Sequence, residues 1–305
     1  MQVPGSTSNL GPGFGAIGLA LQVYNRFTFE RVPAGLAITI EGEGADRLET
    51  GPDNRTYQAY AAVFKSLDLS PYPVHIHQRN EIPLERGLGG SSSAVVAGVM
   101  GALVLLGRTP EIDLVLEYAT LLEHGSENLT ASTVGGLTVS AREPGWVIYV
   151  RLDPPAGLTS VVLIPDFRLN TEESLKVVPS QVPMVDARAN LRCSAMIIAA
   201  LVSGKTDKLA FAMQDRLHQP YRASLVPGMY DIFQAALRAG SPGAALSGAG
   251  SGVFAFALED SDPDGIGRAM VREAAAHGIG STYMILPFDR CGARIIRTWA
   301  DAAPE

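Results

Sequence analysis

Short runs rich in β-branched and aromatic residues, partly alternating apolar with polar, occur at Val23–Val32, Leu36–Glu41 and Val74–Gln78 and predict strands. Helical patterns replace them at Thr56–Leu67, Ser91–Leu106 and Glu111–Leu122. The stretch from Ser93 to Gly107 is apolar almost throughout; at about 15 residues it is shorter than the roughly 20 that cross a bilayer, so it predicts a buried helix. Further β-type runs follow at Leu137–Ser140 and Trp146–Arg151. The break Leu152-Asp-Pro-Pro-Ala-Gly157 then divides the chain into an expected first domain, 1–155, and a second, 156–305. The second half restarts with a strand at Ser160–Ile164. It continues with helical stretches at Val185–Ser203, Thr206–Arg216, Met229–Ala239 and Pro263–His277, and strand candidates at Ala244–Ser247, Val253–Leu258, Thr282–Leu286 and Ala293–Thr298. Strands and helices neither alternate strictly nor separate into blocks, which is the pattern of an α+β protein made of two layered halves.

Composition narrows the function classes. With 47% hydrophobic and 18% charged residues over 305 positions, the chain can bury a core in each half. A net charge of -7 repels phosphate backbones, so no nucleic-acid partner is expected. Cys193 and Cys291 are too few for a disulfide framework and read as free thiols in a reducing, cytoplasmic compartment. Neither a secretory signal nor a membrane segment is legible. A hydrolase ranks low, because the chain has no Gly-x-Ser-x-Gly elbow and no zinc-type His/Cys spacing. His75 and His77, two apart on one strand, read as a polar face rather than a metal site.

Three glycine-rich segments carry the candidate chemistry. In the first, Pro83-Leu-Glu-Arg86-Gly87-Leu88-Gly89-Gly90-Ser91-Ser92-Ser93, a loop runs directly into the apolar helix. Glycines let a backbone approach a ligand, the first helical N–H groups point outward, and the helix dipole adds positive charge, which together make a phosphate site. The serine hydroxyls there can cap the helix or reach a phosphate oxygen or a magnesium ion. A plain helix start remains the alternative; neither a dinucleotide fingerprint nor a P-loop fits the spacing. The second, Gly243 to Phe254 with Gly248-Ala249-Gly250 at its centre, reads equally as a close approach to a phosphate chain or as a tight hairpin. The third, Pro4-Gly-Ser-Thr-Ser-Asn9-Leu-Gly-Pro-Gly-Phe-Gly15, reads as a turn; if it lines a cleft, Asn9 could hold a hydroxyl or carboxylate group of a substrate.

In this order and at these separations the three segments resemble the motifs of the galactokinase, homoserine kinase, mevalonate kinase and phosphomevalonate kinase (GHMP) superfamily, and most nearly those of the homoserine kinases. Glu123-His124-Gly-Ser-Glu127-Asn128 followed by Gly135-Gly136, and His218-Gln-Pro-Tyr-Arg222 followed by Pro227, are similar to further segments of that family. The resemblance implies a two-domain fold, an N-terminal mixed sheet with helices and a C-terminal ferredoxin-like α/β sandwich. It implies ATP-dependent phosphorylation of a small alcohol, most nearly L-homoserine, with magnesium, and a homodimer.

By the same resemblance, Pro83 and Arg86 through Ser93, with Gly248, Ala249 and Gly250, would hold the nucleotide, and Ser91 and Glu123 the magnesium ion, with Glu117 the fallback ligand. Asn9, the Gly15 position, Glu127, Asn128 and Arg222 would face the substrate, with Asn128 and Arg222 the catalytic pair. No carboxylate base is implied; positioning and charge stabilisation carry the reaction. The chain departs from the family pattern at Gly15, where an aspartate is usual, at Glu127 for aspartate, at Leu175 for arginine and at Gly90 for serine. Two alternatives follow from these departures: a related kinase with another alcohol as acceptor, or a catalytically silent nucleotide-binding homologue.

Overall fold

The structure, a computed structural model, describes residues 1–123 and 125–296. Two sheets organise it. The first is six-stranded and contains β1 (Gln2–Asn9), β2 (Gly13–Arg31), β3 (Leu36–Gly42), β4 (Val74–Asn80), β5 (Leu137–Glu143) and β6 (Trp146–Leu152). The long β2 pairs antiparallel with β1, β4 and β5; β3 lies parallel to β4, and β6 closes the far edge on β5. The second sheet contains β7 (Leu158–Pro165), β8 (Ala244–Leu246), β9 (Val253–Leu258) and β10 (Ser281–Leu286) in the antiparallel order β10-β7-β9-β8. This is the α+β arrangement the chain pattern predicts.

Three helices, α1 (Arg55–Ser66), α2 (Gly90–Leu105) and α3 (Ile112–Ala119), pack on the first sheet, with Phe27, Tyr60, Phe64, Val95, Val99 and Leu116 in one core. Asn54 caps α1 by accepting from the N–H groups of Thr56 and Tyr57. The central helix α2 is apolar all round because it is enclosed all round: every residue from Val95 to Leu103 is buried. A short helix, α4 (Glu127–Val134), packs on β1 and β2. The second half adds α5 (Thr171–Lys176), α6 (Met184–Val202), α7 (Leu209–Ala212), α8 (Gln219–Arg222), α9 (Met229–Arg238) and α10 (Pro263–Ala276). Helices α9 and α10 cover one face of the second sheet through Ile232, Phe233, Ile266 and Met270. Among the described residues no helix is long and apolar enough to cross a membrane.

Four expectations are corrected. The polar stretch after Pro4 is not a turn: it belongs to β1, every residue of which is buried, and only residues 10–12 turn. A strand covered on both faces shows no alternation, and its hydroxyls are hidden because each finds a partner inside the protein. The first strand therefore reaches back to Gln2, and its neighbour starts at Gly13 rather than Val23. Thr206–Arg216 is not one helix but a 3₁₀ turn, the single turn α7 and irregular chain. Ala293–Thr298 does not form a strand where it is described: Arg294 makes an isolated bridge to Gln2, and residues 297 and 298 lie outside the described residues.

After β10 the chain returns to the first sheet. The Gln22 N–H donates to Pro287, the Asp289 N–H donates to Ala20, and the buried Asp289 carboxylate accepts from the Tyr24 hydroxyl and the N–H groups of Cys291 and Gly292. The two halves are thus stitched together beside the segments that converge on the site.

Candidate active site

The loop ahead of α2 is a backbone construction. Gly87 and Gly89 have φ of +69° and +70°, the left-handed region open to glycine. A β-carbon on Gly87 would run into the Ser247 carbonyl, and one on Gly89 into the Ser6 hydroxyl. Both glycines are therefore required twice, by conformation and by close approach. Gly89 caps α2 without a side-chain bond, so the N–H groups of Gly90, Ser91 and Ser92 have no acceptor among the described residues. They lie at the positive end of a 16-residue helix.

The three serines that follow separate by environment. Ser91 is exposed, and its hydroxyl donates to Glu123 Oε1 at 2.7 Å. Ser93 is buried, its hydroxyl donating to the Gly90 carbonyl at 2.8 Å and accepting from Asn25 Nδ2 at 2.9 Å, so its side chain holds the loop from inside. Ser92 is buried, and Leu88 anchors the loop in the core. The Arg86 guanidinium is also spent internally, donating to the carbonyls of Leu84, Pro165 and Asp166, and burial lowers its pKa. Its side chain, expected on the nucleotide, instead ties the loop to the end of β7. Pro83 and Arg86 line a cleft of about 360 Å³ between the two sheets.

All three glycine segments meet. Ser247 Oγ donates to the Gly87 carbonyl at 2.7 Å and shares a 2.9 Å hydrogen bond with Thr7 Oγ1, and the Gly248 N–H donates to the Ser8 carbonyl. Asn9 is buried with its amide engaged at both ends: Nδ2 donates to the Gly248 carbonyl at 3.0 Å, and Oδ1 accepts the Gly15 N–H at 3.2 Å. These two bonds fasten the first segment to the second and leave Asn9, like Asn128 below, one amide hydrogen and one lone pair. The Ala249 carbonyl accepts from Ser174 Oγ at 2.7 Å, and the Gly250 N–H donates to Ser247, closing the turn of the β8–β9 hairpin. Gly15 is exposed at φ +74°, with open space where a side chain would stand.

Behind this junction lies a buried charged cluster. Arg222, at the end of α8, is only 2% exposed; Nε donates to the Ser174 carbonyl at 3.2 Å, and Nη1 donates to Gly248 O and His218 Nδ1, both at 3.1 Å. Nη2 donates to nothing among the described residues. Burial lowers the Arg222 pKa to about 10, against the opposite pull of Asp215 and Glu127. His218 is fully buried, stacked on Phe14 with ring centroids 4.8 Å apart. Because Nδ1 accepts from Arg222, the proton sits on Nε2, which donates to the Gly11 carbonyl at 2.7 Å. Burial, with Arg222 assisting against Asp215, lowers the His218 pKa to about 4, so the ring is neutral. Asp215 accepts the N–H groups of Leu217, His218 and Gln219 and fixes the start of α8. Sequence reasoning passed over Asp215 and Phe14; an aspartate a few residues ahead of a short helix is a capping signal that could have flagged the first.

Opposite stands the start of α4. Asn128 Oδ1 accepts from Ser6 Oγ at 2.9 Å, and Nδ2 donates to Ser8 Oγ at 3.1 Å, leaving one amide hydrogen and one lone pair free. Glu127 Oε2 is a buried carboxylate oxygen without a hydrogen-bond partner. Burial raises its pKa, the N–H of Glu127 itself lowers it, Glu123 raises it and Arg222 lowers it. Glu123 also receives Arg55 Nη2 at 3.3 Å. Glu117, the fallback metal ligand, is exposed on α3. Leu175, in the arginine position, is 49% exposed on α5, and Lys176 is exposed beside it. His124 lies outside the described residues. His75 and His77 lie outside the cluster, with Thr39 Oγ1 hydrogen-bonded to both on the outer face of the first sheet.

The open helix start with Ser91 and Glu123 at its mouth, and the buried Arg222 guanidinium behind it, are groups able to hold a phosphate chain and a small anion. The GHMP kinases N terminal domain matches residues 54–136 and the GHMP kinases C terminal domain residues 197–277. A homoserine kinase of Synechococcus sp. (strain CC9605) is 37% identical over 100% of this chain and 96% of its own length. One of Moorella thermoacetica is 38% identical over 97% of this chain and 99% of its own. Among solved structures, the homoserine kinase of Cytophaga hutchinsonii superimposes with a TM-score of 0.86 at 26% identity, covering 97% of this chain and 96% of that one. The mevalonate kinase of L. major, at 19% identity and a TM-score of 0.67 over 96% of each chain, shares the fold. This chain belongs to the homoserine kinase family of the GHMP kinases.

Proposed function

We propose that the enzyme transfers the γ-phosphoryl group of ATP to the hydroxyl of L-homoserine, releasing ADP and O-phospho-L-homoserine. The observation that carries this reading is the juxtaposition of the open N-terminus of α2, through Gly87–Ser92, with the buried Arg222 and the Asn128–Glu127 pair. The unbonded N–H groups of Gly90, Ser91 and Ser92 would take phosphate oxygens. Ser91 Oγ and Glu123, already 2.7 Å apart, are hard oxygen donors at the loop's mouth and fit a magnesium ion that also holds the phosphates. Such an ion neutralises charge on the transferring group.

Arg222 supplies a planar donor fork for the substrate carboxylate, pre-oriented by His218, Ser174 and Gly248. Asn128, locked by Ser6 and Ser8, orients the hydroxyl with its free hydrogen and lone pair. An amide takes up no proton, so the rate would come from alignment and charge neutralisation rather than from a side-chain base.

The departures at Gly15 and Leu175 keep a different acceptor alcohol as the second reading. A coupled assay of magnesium-dependent ADP release, with phosphorus NMR of the product, decides between them. Saturable turnover of homoserine is expected; turnover of threonine, mevalonate or pantoate with none of homoserine overturns the reading, and ATP binding without any turnover favours the silent homologue. Two further expectations belong with this reading: a cytoplasmic location, and a division into units meeting near residue 155. A homodimer is a third, supported by Met184, Leu191 and Val202, which stand exposed along one stripe of α6; sedimentation tests it.

A further inference from the structure

An amino-acid acceptor brings two opposite charges on one carbon into the site, and each that leaves water there must meet a partner. The guanidinium of Arg222 answers the carboxylate. For the ammonium, the acids around the site can be taken in turn. Glu123 is occupied by Ser91 and Arg55, Asp215 by three backbone N–H groups, and Glu117 is exposed on another helix. Gly15 and Asn9 offer no charge. Glu127 is left. Its Oε2 is the one buried carboxylate oxygen without a partner among the described residues, and its carboxylate folds back over Gly125 beside Asn128. No ion pair within 4.0 Å joins it to Arg222 among the described residues, so the two opposite charges stand apart.

We propose that Glu127 is the specificity-determining residue that pairs with the substrate's α-ammonium, so that the enzyme reads the zwitterion between Glu127 and Arg222. The assignment rests on homoserine being the acceptor. It gives a reason for an otherwise costly buried carboxylate oxygen without a partner: the partner arrives with the substrate. The electrostatics agree, since burial holds the carboxyl above its usual pKa and a neighbouring ammonium would favour the charged form.

The test compares L-homoserine with 4-hydroxybutanoate, which has the same hydroxyl and carboxylate but no amine, in wild-type enzyme, Glu127→Gln and Glu127→Asp. Glu127→Gln should lower kcat/KM for homoserine by about a hundredfold or more while shifting that for 4-hydroxybutanoate, and the KM for ATP, by less than about threefold. Glu127→Asp keeps the charge and should keep the preference for the amine. Equal losses on both acceptors in Glu127→Gln, or no loss on homoserine, overturn the assignment, as does an Asp variant that discriminates no better than the Gln variant. Wild-type enzyme that turns over neither compound overturns the acceptor reading and this assignment together. Thermal unfolding of each variant confirms that a folded protein is being assayed.

Discussion

His218 should make the protein acid-sensitive through a single buried ring. Its pKa falls from 6.5 to about 4 because protonation would place a charge in the core and turn a donor on Nδ1 toward the Arg222 guanidinium, 3.1 Å away. The unfolded chain binds that proton near pH 6.5 and the folded chain only near 4, so stability is full above 6.5 and lost as the pH falls through this window. At 1.36 kcal/mol per pKa unit the loss is on the order of 3 kcal/mol, a large share of the roughly 5–15 kcal/mol of a typical domain. The measurement is urea unfolding from pH 7 to pH 4 for wild-type protein and His218→Gln, a side chain that cannot titrate and can still donate toward Gly11. Other acids contribute equally to both proteins, so wild-type stability should fall more steeply, by about 3 kcal/mol across the window. Parallel curves would refute the reasoning and show that the ring takes up its proton without cost.

Gly87→Ala should destabilise the fold by more than about 2 kcal/mol and raise the KM for ATP, because φ is +69° and the Ser247 carbonyl occupies the added carbon's place; thermal unfolding and kinetics report the two effects. Glu123→Gln should raise the magnesium concentration for half-maximal rate by about tenfold or more at fixed ATP, and an unchanged titration would remove Glu123 from the metal site. Arg222→Lys keeps the charge but loses the fork that bonds Ser174, His218 and Gly248, so kcat/KM for homoserine should drop by about a hundredfold, read in the ADP-release assay. A thiol reagent should label the exposed Cys291 quickly and the buried Cys193 only on unfolding, since burial raises the Cys193 pKa.

The amino-acid order alone determined much of this protein. The loop Gly87–Ser93 at the head of an apolar helix, the strands from β3 onward and the α+β class are written in local periodicity and glycine spacing, because each depends on neighbours in sequence. The partnership of Ser91 with Glu123 was also legible, though only through a resemblance to known motifs. Tertiary structure decided the rest. β1 carries Ser6, Thr7 and Ser8 and looks like a loop until its partners Asn128, Ser132 and Ser247 arrive from distant positions. Helix α4 is built of small and hydroxyl residues and has no apolar stripe, since it is enclosed rather than amphipathic. Asn9 and Arg86 carry the chemistry expected of ligand-binding residues, yet the fold uses both to fasten segments together. Arg222 is picked out in the sequence only by its motif, and nothing local shows that it is among the most buried side chains, which it is because Ser174, Gly248, His218 and Phe14, from four segments, surround it. Sequence fixes which groups can donate, accept or carry charge; which of them remain unpaired, and so free for a substrate, depends on long-range packing.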